Sequence, residues 1–164
     1  MILESLSGPV MQQALEKGFG IIPEDISVSE KMILIHSELS EAFDAKVQGN
    51  IEGKDGFYEE VGDILQRVLH LGGVFKVDFS VPIPITLPED SLNHLHSLTS
   101  KTWEHYRKNN LDNFKSSLVH LAYATLELSN IHNFSIKDSI NKKIEWNKGR
   151  VWERLNEKLQ NPNL

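Results

Sequence analysis

An all-α bundle is the fold class this sequence predicts, and three observations carry that prediction. Apolar residues recur at helical spacing through most of the chain. Helix-start chemistry precedes two of those stretches: Ser27-Val28-Ser29-Glu30 reads as a capping box, and Ser135-Ile136-Lys137-Asp138 as another start. Pro82, Pro84 and Pro88 crowd into a single apolar, β-branched stretch, and no segment shows the alternation of a half-buried strand.

The first helix is expected to begin at Pro9, because proline suits a first helical turn, and to end near Gly18-Phe19-Gly20. The second should run from the capping box to about Gln48, with Gly49-Asn50 as its stop. Met32, Ile35, Leu39, Ala42 and Phe43 form its apolar stripe, while Glu38 and Glu41 lie on another face flanked by Leu34 and Ala45. A third helix should start near Asp55 and reach about Leu71, before Gly72-Gly73. Its stripe is Phe57, Val61, Ile64, Val68 and Leu71, with Glu60, Asp63 and Arg67 along one edge. Residues 77–90, which hold the three prolines, read as an extended connector. Two further helices are expected over 91–108 and 112–131, and a last one from Ser135 through about Trp152 or further. The prediction is one domain over 1–164, a bundle of five to six helices.

Composition narrows the function classes. A formal net charge of -6 without any run of like charge gives no basic footprint for nucleic acid or a membrane surface, so neither partner is expected. The absence of cysteine excludes disulfides, iron–sulfur clusters and thiol catalysis. No basic segment followed by an apolar run opens the chain, and no stretch approaches the roughly 20 apolar residues of a membrane helix. A cytoplasmic location is the expectation.

A weak internal repeat runs through the middle of the chain. His36 to Lys46 lines up with His96 to Tyr106, placing Phe43 on Trp103 and Asp44 on Glu104. A shift of 57 residues then places Phe57 on Phe114, Val61 on Leu118 and Ile64 on Leu121. The pattern is that of a duplicated helical hairpin; chance alignment of amphipathic helices is the alternative. The acids do not repeat. Glu38, Glu41, Glu60 and Asp63 fall on Leu98, Lys101, Ser117 and His120.

Those four acids form two acid-x-x-acid phrases, Glu38-Leu39-Ser40-Glu41 and Glu60-Val61-Gly62-Asp63. Residues three apart share a helix face, so two packed helices would bring four carboxylates to one spot. Such a cluster calls for a neutralising cation, and oxygen ligands suit a hard divalent metal, Mg2+ first and Mn2+ as an option. The plainer reading is a pair of solvated helices with an Asp63–Arg67 ion pair at i, i+4. A di-iron site is disfavoured because Glu-x-x-His occurs nowhere, and no Gly-rich phosphate loop or serine elbow is present. The seven histidines lack ligand spacing, so none is assigned to metal; His36, His70 and His120 are expected to flank the core. Trp146 is expected to pack in the core, with stacking on a base as its second option.

With eighteen residues between Glu41 and Glu60, the two phrases resemble those of the all-α NTP pyrophosphohydrolase superfamily, the MazG-like proteins. Glu59-Glu60-Val61-Gly62-Asp63-Ile64-Leu65 is similar to that family's second acidic motif, and Lys143-x-x-x-Asn147-x-x-Arg150 to a late basic and amide set. The resemblance covers roughly residues 28–75 and 135–152. It implies a helical bundle, often dimeric, that hydrolyses nucleoside triphosphates to monophosphate and pyrophosphate in nucleotide-pool cleaning. On that resemblance Glu38, Glu41, Glu60 and Asp63 would be the Mg2+ ligands. Lys143, Asn147 and Arg150, on one helical face, would hold phosphates or sugar. Many relatives carry a further acid where this chain has Ser37. The general base therefore stays open between Glu59 and the ligating carboxylates. A non-catalytic helical module that binds or regulates a partner is the alternative.

Overall fold

The computed structural model describes residues 2–150. Within them lie six α-helices, a one-turn 3-10 helix at Pro23–Asp25 and no strand: α1 (Ile2–Lys17), α2 (Val28–Val47), α3 (Phe57–Val74), α4 (Ser91–Arg107), α5 (Leu111–Ile131) and α6 (Ile136–Lys148). The fold is all-α, as the periodicity predicts. No helix among the described residues is long and apolar enough to cross a membrane.

Local chemistry sets most boundaries. The Ser27 hydroxyl accepts from the Glu30 N–H to cap α2, and Ser135 does the same for α6 through Asp138. Asp90 and Asn110 cap α4 and α5. The start of α1 differs from expectation: the helix begins at Ile2 and carries Pro9 inside it. Leu3, Leu6, Val10 and Ala14 lie on one face and are almost fully buried, and their burial outweighs the backbone hydrogen bond that Pro9 forfeits. The expected end of the last helix, at Trp152 or beyond, lies outside the described residues.

Helix α3 is the hub, packed against α1, α2, α5 and α6. Phe57, Val61, Ile64, Leu65, Val68 and Leu71 are wholly buried there. Two of its glycines admit close neighbours. A Cβ on Gly72 would lie 2.4 Å from the ring of Phe79, and one on Gly62 would lie 2.9 Å from Cβ of Ser139. The first lets the 77–90 connector fold back onto the bundle, where Tyr123 Oη donates to the Phe79 carbonyl at 2.9 Å. The second lets α6 lie directly over the middle of α3.

Helices α2–α3 and α4–α5 form two hairpins with matched architecture. Under the sequence repeat, the last residues of α2 and α4 coincide, Val47 on Arg107, and so do those of α3 and α5, Val74 on Ile131. The left-handed residues after those ends also coincide, Gly49 with Asn109 and Lys76 with Asn133. Met32, Ile35, Leu39 and Ala42 are buried, and so are their counterparts Leu92, Leu95, Thr99 and Thr102. His36 meets its own counterpart: its Nδ1 lies 2.7 Å from Nδ1 of His96, with the rings stacked at 5.0 Å. Such a self-contact is what a duplicated hairpin closing on itself about a twofold would make. Phe43 departs from expectation. It is 54% exposed, because α2 turns that edge away from both α3 and α4.

Candidate metal centre

The two acidic phrases lie on packed helices, α2 and α3. The connection between them is pinned by backbone: Phe57 N–H donates to Asn50 O at 2.9 Å and Tyr58 N–H to Ile51 O at 3.1 Å. Gly56, the residue before α3, is pressed so close to the Gly53 carbonyl that a Cβ would stand 2.6 Å from it. This rigid turn fixes the register of the two helices, and with it which acids face each other.

Glu38, Glu60 and Asp63 converge. One carboxylate oxygen from each lies within 4.8 Å of the others, and all three residues are at most 8% exposed. Two cations close the cluster. Arg67 reaches across from α3 and places Nε at 3.0 Å and Nη2 at 2.8 Å from Oε1 of Glu38. Lys143, from α6, pairs with Oδ2 of Asp63. The Asp63–Arg67 pair along one helix therefore yields to an Arg67–Glu38 pair between helices.

Electrostatics follow from burial and crowding. Burial, followed by the charges of Asp63, Glu38 and Glu41, pushes the Glu60 carboxyl up to about 8, against the pull of Lys143. Burial also raises Asp63, to about 6, although Lys143 opposes it through charge and hydrogen bond. Burial lowers the proton affinity of Lys143, but Asp63, Glu60 and Glu38 outweigh it and the net shift is upward. Where no cation offsets the crowded charge, the cluster thus favours the protonated form of Glu60.

The remaining expected site residues fall into different places. Glu41 is exposed and stands outside the close group of three; it borders the cluster, where burial and Glu38 raise its proton affinity. Glu59 faces elsewhere, accepting from the Asp55 N–H at 2.9 Å across the start of α3. Asn147 is buried, at 7% exposure. Arg150 is not on the helical face of Lys143 and Asn147, because α6 ends at Lys148; its backbone N–H donates to the Asn147 carbonyl. Trp146, expected in the core, is 50% exposed. The sequence reading missed the cross-helix role of Arg67 and the packing role of Gly62. A glycine between two buried acids, on the face that a later helix must cover, was the available signal for the second.

Three carboxylates this close suit a hard divalent cation. Such ions hold oxygen at about 2.0–2.6 Å, so ligand atoms on one ion stand at most about 5 Å apart. Among the described residues this is the only cluster of three or more acidic, histidine or cysteine side chains with that geometry. No known family model, curated protein or solved structure matches the chain.

Proposed function

We propose that this chain is a Mg2+-dependent nucleoside triphosphate pyrophosphohydrolase, which converts an NTP or dNTP to the monophosphate and pyrophosphate in cytoplasmic nucleotide-pool cleaning. The observation that carries the reading is the convergence of Glu38, Glu60 and Asp63 from two helices into one buried group. Their oxygens would hold Mg2+ (Mn2+ in its place), with Glu41 at the rim as a further or water-mediated ligand. Bound there, the cation would neutralise phosphate charge and lower the pKa of a coordinated water.

The chain's own groups divide the remaining work. Arg67 and Lys143 hold the carboxylates of Glu38 and Asp63 in place, and Lys143 also supplies positive charge beside incoming phosphates. Once ionised, as holding the cation would require, one of the clustered carboxylates is the group placed to take the proton lost by the attacking water. The water oxygen bonds to phosphorus, the α–β anhydride bond breaks, and pyrophosphate leaves with the electron pair. Asn147, one turn beyond Lys143 on α6, and Arg150, just past the end of that helix, are assigned to phosphate or sugar. Glu59, tied to the Asp55 N–H, is less suited to orient the water than the clustered acids.

The test is a panel of ribo- and deoxyribonucleoside triphosphates with and without Mg2+, scored for pyrophosphate against orthophosphate. Mg2+-dependent pyrophosphate release that Glu60→Gln abolishes is the expected result. No turnover of any nucleotide by the folded chain would overturn the reading.

A second reading has its own support. Arg67 and Lys143 already neutralise two of the three acids, and such a network can hold a non-catalytic binding or regulatory module together. Mg2+ affinity left intact by Glu38→Gln would favour it. We also assign the chain to a homodimer, supported by Ile33, Phe43 and Val47, which are all more than half exposed on the outer face of α2.

A further inference from the structure

A cavity of about 650 Å3, open to solvent and lined by exposed residues, lies where the α2–α3 turn meets the end of α6, between Lys54, Asp55, Trp146, Gly149 and Arg150. Two of its lining residues belong to segments that lead into the acid cluster. Trp146 sits one helical turn beyond Lys143, which holds Asp63, and directly before the buried Asn147. Asp55 donates its backbone N–H to Glu59, the neighbour of Glu60.

The walls specify a kind of occupant. Trp146 leaves half of its surface uncovered, so part of its ring is open to an incoming group. Lys54 Nζ stands 5.4 Å from the indole centroid, but its side chain is 70% exposed, so it covers the ring loosely and yields to a better partner. Gly149 adds no bulk; a Cβ there would meet nothing within 4 Å. An aromatic face, a carboxylate to accept from N–H groups and an ammonium to donate to ring or carbonyl acceptors together match a planar heterocycle with a hydrogen-bonding edge.

We propose that this cavity holds the base of the nucleotide, stacked on Trp146 in place of Lys54, with Asp55 and Lys54 on its polar edge. The proposal rests on the reading of the acid cluster as the phosphate site, one turn away. It makes the substrate a base-bearing nucleotide and not a simple polyphosphate.

The test is equilibrium binding of AMP, CMP, GMP and UMP to the full chain in chelator, with ribose 5-phosphate as the base-free control. The indole N–H resonance of Trp146, assigned through Trp146→Phe, serves as the local reporter. At least one monophosphate should bind tenfold or more tightly than ribose 5-phosphate and shift that resonance. Trp146→Leu should erase the preference and Trp146→Phe should keep most of it. Ribose 5-phosphate binding as tightly as all four monophosphates would overturn the proposal. So would a preference retained by Trp146→Leu with an unchanged circular dichroism spectrum. Neither metal nor turnover enters this measurement. Base-dependent binding by a chain that releases no pyrophosphate would end the hydrolase reading and keep the pocket; pyrophosphate release without base-dependent binding would do the reverse.

Discussion

The two hairpins of this bundle share a frame and differ in charge. In α2–α3, Glu38, Glu60 and Asp63 meet at the border of the core, with Arg67 and Lys143 beside them. In α4–α5 the counterparts of the acids are Leu98, Ser117 and His120, and the counterpart of Arg67 is the buried Ala124. The C-terminal helix ends, the left-handed residues and a run of core positions coincide nonetheless. The frame therefore does not depend on the acids. Burial of carboxylates is costly unless something repays it, and one hairpin carries that cost while its twin folds without it.

The largest expected effect breaks the comparison at the acids. Glu60→Gln or Asp63→Asn should reduce Mg2+-dependent pyrophosphate release by a factor of about 1000 or more, since a lost ligand removes several kcal/mol of transition-state stabilisation. Ser117→Ala and His120→Asn, at the matching positions of α5, should leave the rate within about twofold. Equal losses in both hairpins would mean that the acids act through the frame and not through a site.

The next effects concern what covers each hairpin. Lys143→Met leaves Asp63 buried without its cation and should lower stability by about 2–4 kcal/mol in denaturant unfolding. Arg67→Met should cost less, about 1–2 kcal/mol, because that guanidinium is partly solvated. Mg2+ should restore more stability to either variant than it adds to the parent, if the acids bind it. Gly62→Ala should cost about 1–3 kcal/mol, because its Cβ meets that of Ser139 and α6 must shift. The counterpart of Gly62 is Val119, a full side chain where no such close approach is needed.

Much of this was legible in the sequence. Periodicity and the capping serines locate α2–α6 to within a few residues, because those signals act locally. The acid-x-x-acid phrases name the three converging carboxylates, because residues three apart must share a face. What the sequence hid depends on partners distant along the chain. Arg67 has Asp63 one turn away, but the neighbouring helix offers Glu38 at better geometry. Pro9 reads as a helix start until the burial of Leu3 and Leu6 is known. Phe43 and Trp146 have apolar character, and character alone does not say which face lacks a neighbour. Glu41 fits its motif, yet stands at the rim because α2 turns it outward.

A smaller effect is the pH dependence of stability in chelator. Glu60 has a carboxyl raised from an ordinary 4.5 to about 8 in the folded chain, and Asp63 is raised to about 6. Between the unfolded and folded values the folded state holds protons that the unfolded state has released. Stability from Asp63 is therefore full below its ordinary 3.8 and lost by about 6, and that from Glu60 is full below 4.5 and lost by about 8. The thermal midpoint should fall across that window, and Glu60→Gln should flatten the decline. Mg2+ should raise the midpoint more at pH ~8 than at pH ~5.5, because it binds the ionised acids. A parent and a Glu60→Gln variant with parallel pH profiles would remove the crowded-carboxylate account.

The smallest expected effect on stability lies where the hairpins match in sequence and part in environment. Phe43 and Trp103 occupy equivalent positions. Trp103 stacks on Tyr106 at 5.9 Å and packs against the core, whereas Phe43 is bare on α2 beside Val47. Trp103→Ser should cost about 1–3 kcal/mol from lost packing, and Phe43→Ser no more than about 0.5 kcal/mol within one chain. Selection for stability of the single chain gives no reason to keep a phenylalanine there. A second copy that covers α2 does give one. Sedimentation should then show a dimer for the parent and dissociation toward monomer for Phe43→Ser, with the unfolding midpoint of the monomer unchanged. A parent that sediments as a monomer at high concentration would remove the dimer and leave the exposure of Phe43 without a structural role.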